Sequence, residues 1–453
     1  MTLDLPAFRQ FAAWLSAFNS GSQAEMLTYH EAHFPYDSAS EDVAGIHREL
    51  QLNHWTGGFE LKRGEESTPT RFVATLKERD SDQFAHAAMD VDAAAPHPVV
   101  KFEIHPIATP EDLYPARLTE GDALGALRVE IDTAVQRDRF SGVVLIAKHG
   151  TPIFAEAFGL ADRAAHIPNR LHTRFRLASM NKMFTGTAML RLVQDGRLAL
   201  TDTIGDFLAD YSNREVASKV TIHHLLTHTG GTGSIEREAN RLELRTHADY
   251  VRLFSARDLL FEPGARHEYS NYGFILLGAV IEAVTETSYY DAVDELVYQP
   301  AGMTATGSLP EGEHVADLSI GYTRSDVQSP WIPNTDRLPY RGDAAAHGYS
   351  TATDLLKFAE ALTKHQLLDP AQTRVLTTGR VPCFWGNYGY GFVENVEGGI
   401  RWVGHAGSFS GANGVLSIWD SGYTVVVLSN MDPPTATRLA TFVGIRLPAQ
   451  PCS

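Results

Sequence analysis

Strand patterns stand at both ends of residues 121–453, with helices and loops between them, and this arrangement constrains the fold more than any other feature of the chain. The first pattern, Phe140-Ser-Gly-Val-Val-Leu-Ile-Ala-Lys-His-Gly-Thr-Pro-Ile-Phe, sets two apolar strands around Lys148-His149-Gly150 and reads as a hairpin. The second comprises Val415-Leu-Ser-Ile-Trp and Tyr423-Thr-Val-Val-Val-Leu-Ser-Asn, with a closing helix at 435–445. An amphipathic helix carrying Leu124, Leu127, Ile131, Ala134 and Val135 leads into the first pattern. A sheet assembled from both ends of a segment must accommodate the helical insert against it. The two halves then meet at a cleft.

At 453 residues the chain exceeds one ordinary core, so two domains are expected. Residues 1–110 read as a small α+β module and 111–120 as a linker. Phe8, Phe11, Ala12, Leu15 and Phe18 recur at helical spacing, which predicts one or two helices. After Trp55-Thr-Gly-Gly the period changes to two, through Phe59-Glu-Leu-Lys, 71–79, 83–92 and 99–105, which predicts an antiparallel meander covered by those helices. The pattern is similar to the cone-shaped folds of the cystatin and nuclear-transport-factor type, which implies an accessory or homodimerisation role. His30-Glu31-Ala32-His33 misses the i, i+4 spacing of a zinc helix and reads as histidines at a helix end.

Charge and cysteine content exclude several functions. Lys and Arg total 38 against 55 Asp and Glu, a net −17, which argues against nucleic acid and anionic membrane as partners. Cys383 and Cys452 are too few for a disulfide framework or a cysteine-built zinc site and read as reduced bystanders. The start lacks a basic and then apolar leader, and the apolar run 274–281 is too short to span a bilayer. The expectation is a cytoplasmic protein without a metal or an organic cofactor.

Among nucleophile patterns, Gly-x-Ser-x-Gly is absent. Ser179-Met-Asn-Lys182 is present, at the start of an apolar helix (Met183, Phe184, Ala188, Met189, Leu192, Val193) that stops at Gly196. Positions i and i+3 share a helix face, so the Lys182 amine is predicted to reach back to the Ser179 hydroxyl. Burial disfavours a lysine's charged form, and a neutral amine can take the serine's proton. Of the lysines, only Lys182 follows a serine by three residues.

The chain has Ser-x-x-Lys, then Tyr-x-Asn, then His-x-Gly. In this order the motifs resemble the serine β-lactamase and penicillin-binding-protein superfamily, in its class C-like branch of family VIII carboxylesterases, D-aminopeptidases and DD-peptidases. Phe140-Ser-Gly-Val-Val, Thr173-Arg-Phe-Arg-Leu-Ala-Ser, Leu225-Leu-Thr-His-Thr-Gly-Gly and Phe261-Glu-Pro-Gly extend the likeness from about 121 to the end. It implies an α+β fold: a β-lactamase-like domain, with an antiparallel sheet flanked by helices and a helical subdomain.

Two motifs occur twice. Tyr211-Ser-Asn213 lies in a polar stretch and reads as a surface turn, whereas Tyr269-Ser-Asn271 follows Phe261-Glu-Pro-Gly and opens an apolar helix. The resemblance therefore assigns Tyr269 as proton shuttle and Asn271 as a polar positioning residue. His228-Thr-Gly ends a helix with glycines where a C-cap belongs. His405-Ala-Gly407 precedes the strand at 415, so His405 and Gly407 are taken as the third motif. By resemblance the Ser408 and Ser179 N–H groups form the oxyanion hole.

The family allows several substrates. His405 stands where β-lactamases commonly carry a lysine, which disfavours a lactamase. The chain also lacks the Trp-Gly-Gly segment of many family VIII esterases. Trp385, Tyr388, Tyr349 and Phe409 point to an apolar pocket or to core. The expectation is a serine hydrolase of small ester substrates, carboxylesterase-like. The alternatives are a D-amino acid peptidase or amidase, a weak β-lactamase, and, in another class, a non-catalytic penicillin-binding-like binding protein.

Overall fold

The computed structural model describes residues 5–34, 39–235, 244–326 and 329–449. It divides into two compact units, Met1–Pro115 with Arg324–Pro330, and Ala116–Thr323 with Trp331–Ser453. No helix among the described residues is long and apolar enough to cross a membrane.

The first unit opens with three helices, α1 (Pro6–Ser20), α2 (Gln23–His33) and α3 (Ala39–Thr56), where the sequence predicts one or two. The extra break is local. Gly21 takes φ +65° after α1, and the Ser22 side chain accepts from Glu25 N–H to start α2. The buried face of α1 is Ala7, Phe11, Trp14 and Phe18; Ala12, expected on it, faces solvent, and Phe8 and Leu15 are only partly buried. Four strands follow, β1 (Phe59–Ser67), β2 (Arg71–Glu78), β3 (Phe84–Val91) and β4 (Val99–Ile107), as an antiparallel meander. Phe72, Ala74, Leu76, Ala85, Ala87 and Met89 pack beneath α1. His30 Nε2 lies 3.3 Å from Glu49 Oε1, and the His30 ring stacks on Phe34. The sequence reading did not foresee that 324–330 belongs to this unit.

The second unit is built on an eight-stranded antiparallel sheet. The elements that frame the site include α4 (Glu120–Gln136), β5 (Gly142–Lys148), β6 (Thr151–Phe158), α5 (Asn181–Gln194), α6 (Asn271–Thr285) and α7 (Ala352–Thr363). Then come β7 (Val381–Cys383), β8 (Gly386–Tyr388), β9 (Val393–Glu397), β10 (Ile400–Phe409), β11 (Ala412–Trp419), β12 (Tyr423–Ser429) and α8 (Thr435–Gly444). The strand order is β7-β8-β9-β10-β11-β12-β5-β6, so strands from the two ends of the segment pair through β12 and β5.

Both faces of the sheet are covered at its centre, so β5, β11 and β12 are buried at nearly every position. Val143, Leu145, Leu416, Val426 and Leu428 join the main core with the helical half, while Val144, Ile146, Val425 and Val427 are buried on the alternate face. The helices α4 and α8 pack together, and α8 lies on β11 and β12. Cys383 carries a free thiol; Cys452 lies outside the described residues.

Candidate active site

Ser179 stands on a one-turn 3-10 segment, Ala178–Met180, directly before α5. Ala178 has φ +46°, a left-handed conformation that costs a residue with a Cβ about 1 kcal/mol or more. The tight turn leaves Ser179 partly exposed while Ala178 and Met180 are buried.

Lys182, the second residue of α5, is completely buried. Its Nζ lies 3.3 Å from Ser179 Oγ, 2.7 Å from Asn271 Oδ1 and 2.8 Å from the Ala345 carbonyl oxygen. The ring of Tyr269 lies 4.7 Å from the same nitrogen and that of Phe274 5.4 Å. Helix α6 presents Asn271 as its first residue because Ser270 caps it, accepting from Gly273 N–H at 3.0 Å. The Ala345 carbonyl is fixed by a loop that sequence reasoning missed. Asp343 Oδ1 accepts the N–H groups of Ala345 (2.8 Å) and Ala346 (3.0 Å), and Asn181 Nδ2 donates to the Asp343 carbonyl (3.1 Å).

The third motif lies on β10. Strand β9 pairs with β10 only as far as Gly404, so 405–409 run past its end. This stretch lies against the Ser179 turn: a Cβ on Gly407 would come within 2.0 Å of the Leu177 carbonyl oxygen. Phe409 and Ala412 close a two-residue turn, and Ser408 pairs with Asn413 next in the ladder. Hydrogen-bonded and non-bonded pairs alternate, which turns the Ser408 N–H away from β11 and towards the open edge. The buried Asn413 side chain steadies the stretch by donating to the Gly407 carbonyl at 3.1 Å.

His405 does not open onto the cleft. Its ring is buried, with Nδ1 2.5 Å from the Ala406 carbonyl and Nε2 3.1 Å from the Tyr388 hydroxyl. The carbonyl can only accept, so Nδ1 carries the proton and Nε2 accepts from Tyr388. Burial, and then the positive charge of Lys182 whenever that amine is protonated, push the imidazole down to about 3, so the ring is neutral at ordinary pH.

Two residues set aside as duplicates prove to be interior. Tyr211, expected on a surface turn, is buried, with its hydroxyl 3.4 Å from that of Tyr272 in the core. The polar neighbours Asp210, Ser212 and Asn213 describe the backbone around it, not the direction of its ring. His228, expected only to cap a helix, is buried behind Tyr269, with ring centroids 4.3 Å apart. Its Nδ1 accepts the Ser270 N–H at 3.1 Å, from the peptide group that joins Tyr269 to Ser270. Burial holds His228 well below the usual histidine range, and Lys182 adds to the effect whenever it is protonated. Tyr388 joins the two histidines, its ring 4.5 Å from His228.

Of the aromatic residues expected at the pocket, Tyr388 is fully buried and Tyr349 packs beneath Arg174. Phe409 is half-buried against His347, and Trp385 is exposed. Among the described residues no group of three or more His, Cys, Asp or Glu side chains could hold a metal ion.

A serine on a helix-opening turn, an amine one turn further along and a glycine-bearing strand edge beside them form the layout of a β-lactamase-fold serine hydrolase. Residues 122–450 match the sequence profile of the Beta-lactamase family, and the chain belongs to that family. It is 30% identical over 292 residues to the putative penicillin-binding protein PbpX of Bacillus subtilis, spanning 64% of this chain and 70% of that protein. It is 38% identical over 193 residues to the esterase EstB of Burkholderia gladioli, spanning 39% of this chain and 49% of the esterase. The crystal structure of a penicillin binding protein from Bacillus halodurans superposes with a TM-score of 0.63 at 32% identity, covering 69% of this chain and 98% of that one. The expected family and fold are those observed.

Proposed function

We propose that this protein is a carboxylesterase-like serine hydrolase working through an acyl-enzyme on Ser179. The observation that carries the reading is the set of partners around the buried Lys182 amine. Two of them, the Ala345 carbonyl and Asn271 Oδ1, accept hydrogen bonds and cannot donate. A neutral amine that donates to both directs its lone pair at the third partner, the Ser179 hydroxyl. That is the geometry of a general base.

The Ser179 proton passes to Lys182 as Oγ bonds to the ester carbonyl carbon. The N–H groups of Ser179 and Ser408 hold the resulting oxyanion. When the carbon–oxygen bond to the alcohol breaks, the proton is returned to the leaving oxygen by way of Tyr269. Water then repeats the sequence, and the acid leaves with Ser179 restored. Asn271 and Gly407 position the amine and the strand. His405 supports Tyr388 and offers no cation to a substrate carboxylate, which favours a neutral ester over a β-lactam. The groups in this scheme all lie within 121–453; residues 1–110 are read as an accessory domain.

A fluorophosphonate probe tests the reading. Labelling is expected on Ser179 alone, and Ser179→Ala is expected to lower p-nitrophenyl ester turnover by about a thousandfold or more. Turnover within about tenfold of the parent would overturn it. Preferential turnover of D-amino acid p-nitroanilides or nitrocefin would move the assignment to an amidase or a lactamase, and no labelling at all would indicate a binding protein.

A further inference from the structure

The turn joining β7 to β8 carries Phe384 and Trp385, which are 65% and 52% exposed. Among the described residues no other phenylalanine or tryptophan is exposed. Their rings meet edge to face at 5.9 Å, and the stretch Val381-Pro-Cys-Phe-Trp-Gly-Asn387 has no charged side chain. Exposed apolar side chains that adjoin form the kind of patch that lines ligand-binding and interaction sites, unlike ones scattered singly.

The turn is tied to the candidate site through its own second strand. Gly386, at φ +136°, completes the reversal, and Tyr388, two residues on, is fully buried. The Tyr388 hydroxyl meets His405 and its ring packs on His228, which lies against Tyr269. Trp385 therefore keeps a set position relative to Tyr269, with ring centroids 6.4 Å apart in an edge-to-face arrangement. The exposed apolar surface begins where Tyr269 ends.

We propose that Phe384 and Trp385 bind the alcohol half of the substrate, and that this half is a bulky, uncharged apolar group such as an aryl-methyl or branched alkyl ester. The inference rests on the hydrolase reading above. In that scheme the leaving oxygen receives its proton beside Tyr269, so the group attached to that oxygen extends over the neighbouring rings. The acyl half is assigned in the same scheme to the Ser179–Ser408 edge.

Two ester series separate the halves. One varies the alcohol at constant acyl group (methyl acetate, benzyl acetate), and the other varies the acyl group at constant alcohol (methyl acetate, methyl phenylacetate). Methanol and benzyl alcohol are of similar acidity, so leaving-group chemistry does not set the first ratio. The parent is expected to favour benzyl over methyl acetate by about tenfold or more in kcat/KM. Trp385→Ala and Phe384→Ala are each expected to shrink that preference about fivefold, with the acyl-series ratio moving less than about twofold. Both side chains are exposed, so an unchanged Tm shows that the variants fold. An unaltered alcohol ratio, or a shift confined to the acyl series, overturns the proposal while Ser179 still reacts with the fluorophosphonate. Failure of Ser179 to react overturns the hydrolase reading as well.

Discussion

Replacing Gly407 with alanine probes how closely the β10 edge must approach the Ser179 turn. The new Cβ would lie 2.0 Å from the Leu177 carbonyl oxygen and 3.2 Å from Met180 Cγ. A carbon and an oxygen settle no closer than roughly 3.3 Å, so strand and turn must part by roughly 1.3 Å. Neither side yields easily. The Leu177 carbonyl accepts the Met180 N–H at 3.1 Å, its N–H donates to the Gly348 carbonyl at 2.8 Å, and β10 is held by β11. Overpacking of this kind costs about 1–3 kcal/mol of stability. The larger effect is expected in catalysis, because the strain separates the Ser179 and Ser408 N–H groups. A displacement of about 1 Å lowers rates about a hundredfold, and loss of one oxyanion donor lowers kcat by about 10²–10³. Gly407→Ala is therefore expected to lower kcat on p-nitrophenyl esters about a hundredfold with little change in KM. Fluorophosphonate labelling should slow in parallel, since the phosphoryl oxygen occupies the same place. The assay is run at 25 °C on protein whose Tm shows it folded. A kcat within about threefold of the parent would refute the argument.

His228→Ala removes the ring behind Tyr269 and leaves the Ser270 N–H without its acceptor, a loss of about 1–3 kcal/mol. We expect kcat to fall about tenfold or more, with partial recovery in His228→Asn, whose side-chain oxygen can accept again; an unchanged kcat in the alanine variant would show that Tyr269 does not depend on it. His405 titrates at about 3 in the folded protein against about 6.5 in an unfolded chain. Between those values the unfolded chain binds a proton that the folded protein does not, so stability falls as pH drops, by several kcal/mol at most. The decline in Tm from pH 7 to pH 4 should be shallower in His405→Gln, and equal slopes in parent and variant would contradict the neutral buried imidazole.

Half of the eight-stranded sheet was legible because those strands are local patterns, whereas the four strands between 381 and 409 lie in a stretch read as mostly helices and loops. The hairpin at 148–150, the strands near 415 and 423 and the closing helix each follow from a run of neighbouring residues. The Ser179–Lys182 spacing predicts an amine close to a hydroxyl, and they lie 3.3 Å apart, because helical periodicity is itself a local property. The same reasoning failed for Tyr211, whose polar neighbours concealed a ring turned into the core. It also failed for His228, which leaves a helix with φ +56°, as a capping residue does, while its imidazole serves a tyrosine 41 positions away. The Ala345 carbonyl gave no signal at all, being a backbone atom in a run of alanines.

Taken alone, the sequence determined which groups are available and the repeat on which each is carried. It offered a serine with a lysine three residues on, the two Tyr-x-Asn and two His-x-Gly segments, and the strands that had to find one another. Tertiary structure decided which of them meet, and in what medium. Three-dimensional packing stripped Lys182 of water and gave it two acceptors from distant parts of the chain, the first residue of α6 and the loop at Ala345. It turned His405 inward as a neutral ring and left Phe384 and Trp385 in solvent. Desolvation and hydrogen-bond direction depend on atoms brought together from across the chain, so no reading of neighbouring residues could supply them.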